Sequence, residues 1–258
     1  MDKLYHQLRL SNISDNPKHI IFLGDSFSWG QGLYLPNWLE RKPDILSTII
    51  DNHPNEDEIS VQWKEQELYV DDIDIQIKDS LSFTNIVADS LNRKCLKRIH
   101  NGGSIQSNID ILSEIVKTGN VYKDVIIIFQ FSSIARDEFD NITDDEFKLL
   151  NSKDLDIRNI LTNRIKKIFD KVDGILNSFE TKYGYKYLYL DWLGDFYDFA
   201  PDKFVKIGQS KCFDPLSLNY PIKLSYKDKI IWDGHLNSEA NQMIAKLILD
   251  KINLENWK

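Results

Sequence analysis

A serine stands at the end of an apolar run near the start of the chain. The segment IIFLGDSFSWGQGL covers residues 20–33, and Ser26 follows four apolar residues, a glycine and an aspartate. At the carboxyl end of a buried parallel strand, a serine lies where open α/β sheets bind ligands, and it can act there as a nucleophile. The alternative is a strand-to-helix turn in which the serine caps the helix.

A nucleophilic serine needs a base, and the base needs an acid that orients it. His235 is the candidate base, because it lies in WDGHLN before the last helical segment and Asp233 stands two residues before it. We expect this segment to be a loop that reaches the end of the first strand, with Asp233 holding Nδ1 of His235. The alternative is a turn whose Asp and Asn cap the helix.

Alternating strands and helices must position these residues. The predicted strands are HIIFLG (19–24), CLKRIH (95–100), DVIIIFQF (124–131) and YKYLYLDW (185–192). Helical periodicity follows Ser82, recurs through Ile105, Ile109, Leu112 and Val116, covers 157–180, and returns after Asn237. Near-continuous apolar strands between helices predict a parallel sheet buried on both faces. We therefore expect one three-layer α/β domain over residues 1–258.

Two stretches interrupt this alternation. Residues 34–80 are interpreted as an insertion, in which SVQWKEQELYV has the alternation of a hairpin. Residues 193–229 carry three prolines and scattered aromatic residues, and are interpreted as a long loop. We expect both stretches to lie near the strand ends beside Ser26 and to shape the substrate site.

Composition excludes several classes of function. The net charge of −8 argues against a protein that coats nucleic acid. The two cysteines, Cys95 and Cys212, have no zinc-site or disulfide-scaffold spacing, and no metal site is expected. No apolar run has the length of a signal or of a membrane span. We expect a cytoplasmic protein or a component of a virion, without membrane or nucleic-acid partners.

A glycine-aspartate-serine turn after the first strand and an Asp-x-His pair before the last helix resemble the blocks of the SGNH (GDSL-type) hydrolase superfamily. The resemblance implies a flavodoxin-like three-layer fold and ester hydrolysis through an acyl-serine, with no cofactor. It assigns Ser26 as nucleophile, His235 as base and Asp233 as orienting acid. Asp25 is then expected to anchor the turn by hydrogen bonds.

The resemblance also implies an oxyanion hole. Its donors would be the backbone N–H groups of Ser26 and of a glycine in RIHNGGSIQ, either Gly103 or Gly102. The family places an asparagine in a turn after the third strand, whereas this chain continues QFSSIAR with Ser132 at the corresponding place. Ser132 is therefore the expected third donor, since a hydroxyl can replace an amide there.

A second departure lies in the last block, which is one residue shorter than the family's usual D-x-x-H. We expect Gly234 to supply unusual backbone angles for this shorter spacing.

Three residues are expected to contact substrate. Trp29 follows the nucleophile and can stack on a sugar ring, Gln130 can donate its side-chain amide, and Arg136 completes a serine-and-arginine turn that divergent members share. We expect the substrate to be a small or carbohydrate ester, with an O-acetyl group as first choice.

Two other classes of function remain as hypotheses. The missing asparagine favours a catalytically inactive binding or structural module, for example in a viral particle. The glycines of GDSFSWGQG also fit a nucleotide-binding turn, but this segment lacks a P-loop lysine and the G-x-G-x-x-G spacing.

Overall fold

Four apolar runs form one parallel sheet. The computed structural model describes residues 18–25, 28, 30, 32–60, 70–99, 104–117, 122, 124–131, 155–191, 196–205, 221–226 and 228–257. In chain order its elements are β1 (His19–Gly24), α1 (Leu35–Arg41), α2 (Pro43–Asn52), β2 (Glu58–Ser60), α3 (Asp72–Leu81), α4 (Phe83–Ser90), β3 (Lys94–Ile99), α5 (Ile105–Lys117), β4 (Val125–Phe131), α6 (Leu155–Tyr183), β5 (Lys186–Asp191), β6 (Pro221–Tyr226), β7 (Lys229–Leu236) and α7 (Ser238–Leu254). The four predicted strands are confirmed as β1, β3, β4 and β5, and the four predicted helices as α4 to α7.

The order of strands across this sheet is β3-β1-β4-β5, and all neighbours run parallel. The chain leaves β1 to reach β3 on one side and later enters β4 on the other side of β1. The carboxyl ends of β1 and β4 therefore flank a topological switch point, where open α/β sheets form a crevice. Gly24 ends β1 and Gln130 lies near the end of β4, so both stand at this point.

Helices cover both faces of the sheet. On one face, Ile21 and Leu23 of β1 join a buried cluster with side chains of α5 and α6. On the other face, Ile20 and Phe22 join a cluster with α4 and α7. Alternate residues of β1 thus pack into two different cores, one on each face of the sheet. This explains why the sequence of the strand is almost continuously apolar. The predicted α/β architecture is confirmed. Within the described ranges, no helix combines the length and apolar composition needed to cross a bilayer.

A second, smaller sheet lies outside the predicted alternation of strands and helices. Its order is β2-β7-β6, with β2 parallel and β6 antiparallel to β7. The predicted insertion 34–80 holds α1, α2, β2 and α3, and most of its predicted hairpin, 61–69, lies outside the described residues. The predicted long loop 193–229 contains a 3₁₀ helix at Tyr197–Phe199 and strand β6. The DGHL segment, expected to be a loop, is the end of β7.

Helix α1 and strand β2 were not predicted because tertiary packing, and not a local sequence pattern, stabilises them. Helix α1 has seven residues, and Tyr34 at its N-cap makes no side-chain capping bond. Strand β2 has only three residues. A third buried cluster, which includes Trp38 of α1 and Ile231 of β7, packs α1 against the second sheet, and β2 is held by its pairing with β7. Short helices are marginal by themselves, so contacts distant in sequence stabilise them.

A lysine fastens β7 to the end of α2. Lys229 Nζ donates to the backbone carbonyl oxygens of His53, Pro54 and Glu56 at 3.1, 3.2 and 2.6 Å. These carbonyl groups follow the last turn of α2, where helix carbonyls lack intrahelical partners and the helix dipole favours a cation. The contact adds to the β2–β7 pairing and holds the strand that carries Asp233 and His235.

Lys78 of α3 is a buried cation, with its side chain 5% exposed and its ammonium 3.9 Å from the Asp79 carboxylate. Burial lowers the pKa of Lys78 from its usual 10.5 to about 8; the charge of Asp79 opposes this shift and that of Lys97 reinforces it. Between these two pKa values the unfolded chain binds more protons than the folded protein. Stability therefore rises with pH across this interval.

We expect Lys78→Met to remove this pH dependence, because methionine fills similar space and does not titrate. The free energy of unfolding of the wild type, minus that of the variant, should increase from pH 8 to pH 10.5 by up to about 3 kcal/mol. Urea titrations of both proteins at several pH values measure this difference. A difference that stays flat over the interval would contradict the prediction.

Candidate active site

An aspartate and a histidine form a hydrogen-bonded pair on β7. Asp233 Oδ1 lies 2.5 Å from His235 Nδ1 and also accepts a hydrogen bond from the backbone N–H of His235 at 2.8 Å. The Asp233 side chain is 3% exposed and that of His235 is 19% exposed. A carboxylate at Nδ1 fixes the orientation and tautomer of an imidazole and stabilises its charged form. Proton transfer at this pair would use Nε2.

The register of β7 explains how a two-residue spacing brings these side chains together. Ile222 of β6 lies opposite Asp233, but the preceding Pro221 lies opposite Leu236. The ladder thus skips Gly234 and His235, as in a β-bulge, which changes the direction of a side chain beside a site. The expectation that Gly234 supplies unusual backbone angles is wrong, because positive φ values occur at other glycines and Gly234 is not among them.

Gly32 brings the loop after β1 into contact with the pair. Its φ is +79°, and an ideal Cβ placed on it would lie 2.7 Å from Ile222 Cδ1 and 3.0 Å from Asp233 Cγ. Both the backbone angle and the close approach require glycine. Gly32, six positions after Ser26 in the sequence, therefore packs directly against the Asp233 carboxylate.

Gln130 occupies a different position from the one expected. Its side chain is fully buried, and its Nε2 donates to Asp25 Oδ1 at 2.5 Å. Its Oε1 accepts hydrogen bonds from the Ser28 hydroxyl and, at 3.4 Å, from the backbone N–H of Asp25. Direct contact of this amide with substrate is thus a wrong expectation. Asp25 does anchor its turn by hydrogen bonds, and Gln130 supplies the partner.

The other candidates lie outside the described residues. They are Ser26, Trp29, Gly102, Gly103, Ser132 and Arg136. For these six, the assigned roles remain predictions.

Three residues of the described site were not singled out from the sequence. Gly32 and Ser28 both stand in GDSFSWGQG, where the two glycines at positions 30 and 32 were the available signal. Asn108 of α5 is fully buried and directs Nδ2 to the backbone oxygen of Gln130 at 3.4 Å. No local pattern indicates a polar residue on the inner side of an amphipathic helix, so this contact required the structure.

A cavity of about 510 Å³ lies along β6, and its lining includes neighbours of Gly32 and Asp233 but not the Asp233 or His235 side chains. Leu33 and Ile222 line it, and they are respectively the residue after Gly32 and the residue opposite Asp233. Further walls come from α1, α3 and the start of α7, with Asn37 and Lys223 among the polar groups. The cavity thus has an apolar wall and hydrogen-bond donors near its mouth. Among the described residues, no three metal-ligating side chains lie together.

Comparison with known proteins does not assign this site. No family model matches the chain, and no curated protein matches it.

We expect Gly32→Ala to disturb the Asp233–His235 pair, because the added methyl group overlaps Ile222 and the carboxylate. Left-handed strain alone costs about 1 kcal/mol, and overpacking adds about 1–3 kcal/mol. The urea dependence of unfolding measures the total. The proton on Nδ1 of His235, observed as a downfield NMR resonance at low temperature, should be lost or shifted.

Two alanine variants serve as controls. Gly184 also has a positive φ, +71°, but nothing lies within 4 Å of its Cβ position, so Gly184→Ala should show the strain alone. Gly234→Ala should be nearly neutral, since its nearest neighbour is Trp232 at 3.8 Å. If Gly32→Ala and Gly184→Ala lose equal stability and keep the same resonance, Gly32 does not constrain Asp233.

Proposed function

We propose that this protein is a serine esterase of the SGNH (GDSL) type that hydrolyses its substrate through an acyl-serine at Ser26. The observation that carries the proposal is the Asp233–His235 pair, whose carboxylate packs against Gly32, six positions after Ser26 in the sequence. An oriented imidazole beside a serine-bearing loop is the arrangement that nucleophilic catalysis requires.

The fold supports the same proposal. The main sheet has the order β3-β1-β4-β5. If its four strands are renumbered 1 to 4 along the chain, this order is 2-1-3-4, which is the beginning of the flavodoxin-like order 2-1-3-4-5. The serine follows the first strand and the Asp-x-His pair precedes the last helix, as in the blocks that the sequence resembles. Ligands of such sheets bind at the carboxyl ends of the strands, where Asp25 and Gln130 meet.

In the proposed reaction, His235 Nε2 takes the proton from Ser26 Oγ as this oxygen attacks the ester carbonyl carbon. Asp233 keeps Nδ1 oriented and stabilises the imidazolium. The N–H groups of Ser26 and Gly103 and the hydroxyl of Ser132 stabilise the oxyanion. His235 then gives its proton to the leaving alcohol, and water releases the acid by the same steps, with His235 as base again. No cofactor takes part.

The proposed substrate is an acyl ester of a carbohydrate, with acetate as the acyl group. A cavity of about 510 Å³ has room for a sugar-sized alcohol, and Asn37 and Lys223 can donate hydrogen bonds to its oxygen atoms. Trp29 and Arg136, which follow β1 and β4 in the sequence, are the proposed further contacts.

The first test is hydrolysis of p-nitrophenyl acetate by the purified protein. We expect Ser26→Ala and His235→Ala each to lower kcat/KM by about 10⁴-fold. Asp233→Asn should lower it by about 10³- to 10⁴-fold, because an amide favours the wrong imidazole tautomer. Ser225→Ala, at an exposed position, and His53→Ala, at a half-buried one at the C-terminal end of α2, are the controls and should retain activity.

A wild-type protein that neither hydrolyses the ester nor reacts at Ser26 with a fluorophosphonate probe would contradict the proposal. That result would favour the inactive binding or structural module instead.

A second prediction concerns the cavity. Lys223 and Ser225 are exposed positions two residues apart on β6, and of the two Lys223 lines the cavity. We expect Lys223→Trp to narrow the mouth and to raise the KM for glucose pentaacetate by about tenfold. Hydrolysis of methyl acetate, followed by pH-stat titration, should not change, because methanol is too small to need the cavity. An equal effect of Ser225→Trp would place the sugar elsewhere.

A further inference from the structure

Gln130 joins the two strands at the switch point. It follows Phe129, which pairs with Leu23 of β1, so its side chain stands level with the end of β1. The side chain lies on the face of the sheet that α4 and α7 cover, since alternate residues Ile126 and Ile128 belong to that core. A fully buried amide in an apolar core needs hydrogen-bond partners.

Those partners lie on both sides of Ser26. Asp25, immediately before the serine, accepts from Gln130 Nε2, and its own N–H donates to Oε1. Ser28, two residues after the serine, donates its hydroxyl to the same Oε1. One side chain on β4 therefore holds the residues that flank position 26, across 105 and 102 positions of sequence.

Gly24 makes this contact sterically possible. An ideal Cβ on Gly24 would overlap Gln130 Oε1 and would lie 2.6 Å from Ser28 Oγ. The glycine of the GDS segment thus leaves space for the amide rather than adopting a left-handed backbone. The backbone of Gln130 is held as well, because Asn108 Nδ2 of α5 donates a hydrogen bond to its carbonyl oxygen.

The contacts also specify the chemistry at position 130. The Asp25 carboxylate requires a donor, whereas the Asp25 N–H and the Ser28 hydroxyl require an acceptor. A carboxamide supplies both in one plane, and so does a protonated carboxylic acid. An ionised carboxylate supplies acceptors only, and a thioether offers no donor.

We propose that Gln130 is the positioning residue for the nucleophile: it fixes the turn that carries Ser26 through Asp25 and Ser28 without touching substrate. This inference rests on the proposed serine esterase activity. A turn held on both sides keeps Ser26 Oγ and its backbone N–H in their reacting positions. Displacement by about 1 Å can cost a hundredfold in rate.

The test is the rate at which a fluorophosphonate–rhodamine probe labels Ser26, measured for wild type, Gln130→Met and Gln130→Glu from pH 5.5 to 8.5. The Gln130→Met variant should be labelled about a hundredfold more slowly than wild type at every pH. At pH 8.5 Gln130→Glu should show a similar loss. Towards pH 5.5 its rate relative to wild type should recover to within about tenfold, as the introduced acid becomes a donor.

The rates are compared at temperatures where every variant is folded at each pH, because an ionised glutamate at position 130 would also lower stability. Under those conditions, recovery at low pH reports the donor and acceptor chemistry at position 130. Tyr189→Phe provides a matched control for stability, because it removes a hydrogen bond from a buried hydroxyl to Asp173 in the core on the other face. It should label at the wild-type rate at temperatures where all variants are folded.

Three results would overturn the inference. Equal labelling of wild type and Gln130→Met would show that the amide does not position the serine. A Gln130→Glu ratio that stays low at pH 5.5 would show that donor and acceptor chemistry does not matter. A wild-type protein that is not labelled at all would overturn the proposed esterase and this inference together.

Discussion

The buried carboxylate of Asp233 is the constraint on which the candidate site depends. A carboxylate that is 3% exposed is costly unless donors surround it, and the backbone N–H and Nδ1 of His235 supply two. The imidazole is thereby fixed in direction, with its other nitrogen turned away from the carboxylate. The backbone of Gly32 packs against the same group, so the loop after β1 and strand β7 have to lie together.

Because Asp233 and His235 lie on β7, the smaller sheet, β2-β7-β6, positions the candidate site. Strand β7 is held by β2 on one side, by β6 on the other, and by the Lys229 ammonium at the end of α2. The cluster around Trp38 and Ile231 fills the space between this sheet and the short helices. Residues 34–60 therefore support the strand that carries Asp233 and His235.

A second polar network stands at the end of β1. Gln130, Asp25 and Ser28 satisfy one another inside an otherwise apolar environment, and such networks rigidify the segments that they join. The amide of Gln130 lies within β4 itself, on its buried side.

Local pattern was sufficient for much of the fold. The continuous apolar runs of β1 and β4 and the helical periodicities of α5 to α7 are repeated signals within one element, and each was found close to its predicted bounds. The spacing of Asp233 and His235 likewise indicated that one could hold the other. These features depend on neighbours in sequence, so they are readable without the structure.

Tertiary structure decided the rest, because the stabilising contacts join distant segments. Helices α1 and α2 and strands β2 and β6 are too short or too weakly patterned to be predicted alone. A cluster formed by residues 34–50 with 222 and 231 stabilises the helices and β6, and pairing with β7 holds β2. The burial of Gln130 depends on the absence of a side chain at Gly24, more than a hundred residues earlier. The sequence alone determined the strands, the long helices and the Asp-x-His spacing. Packing between segments far apart in the chain determined that β7 is a strand and that Gln130 bonds Asp25 and Ser28.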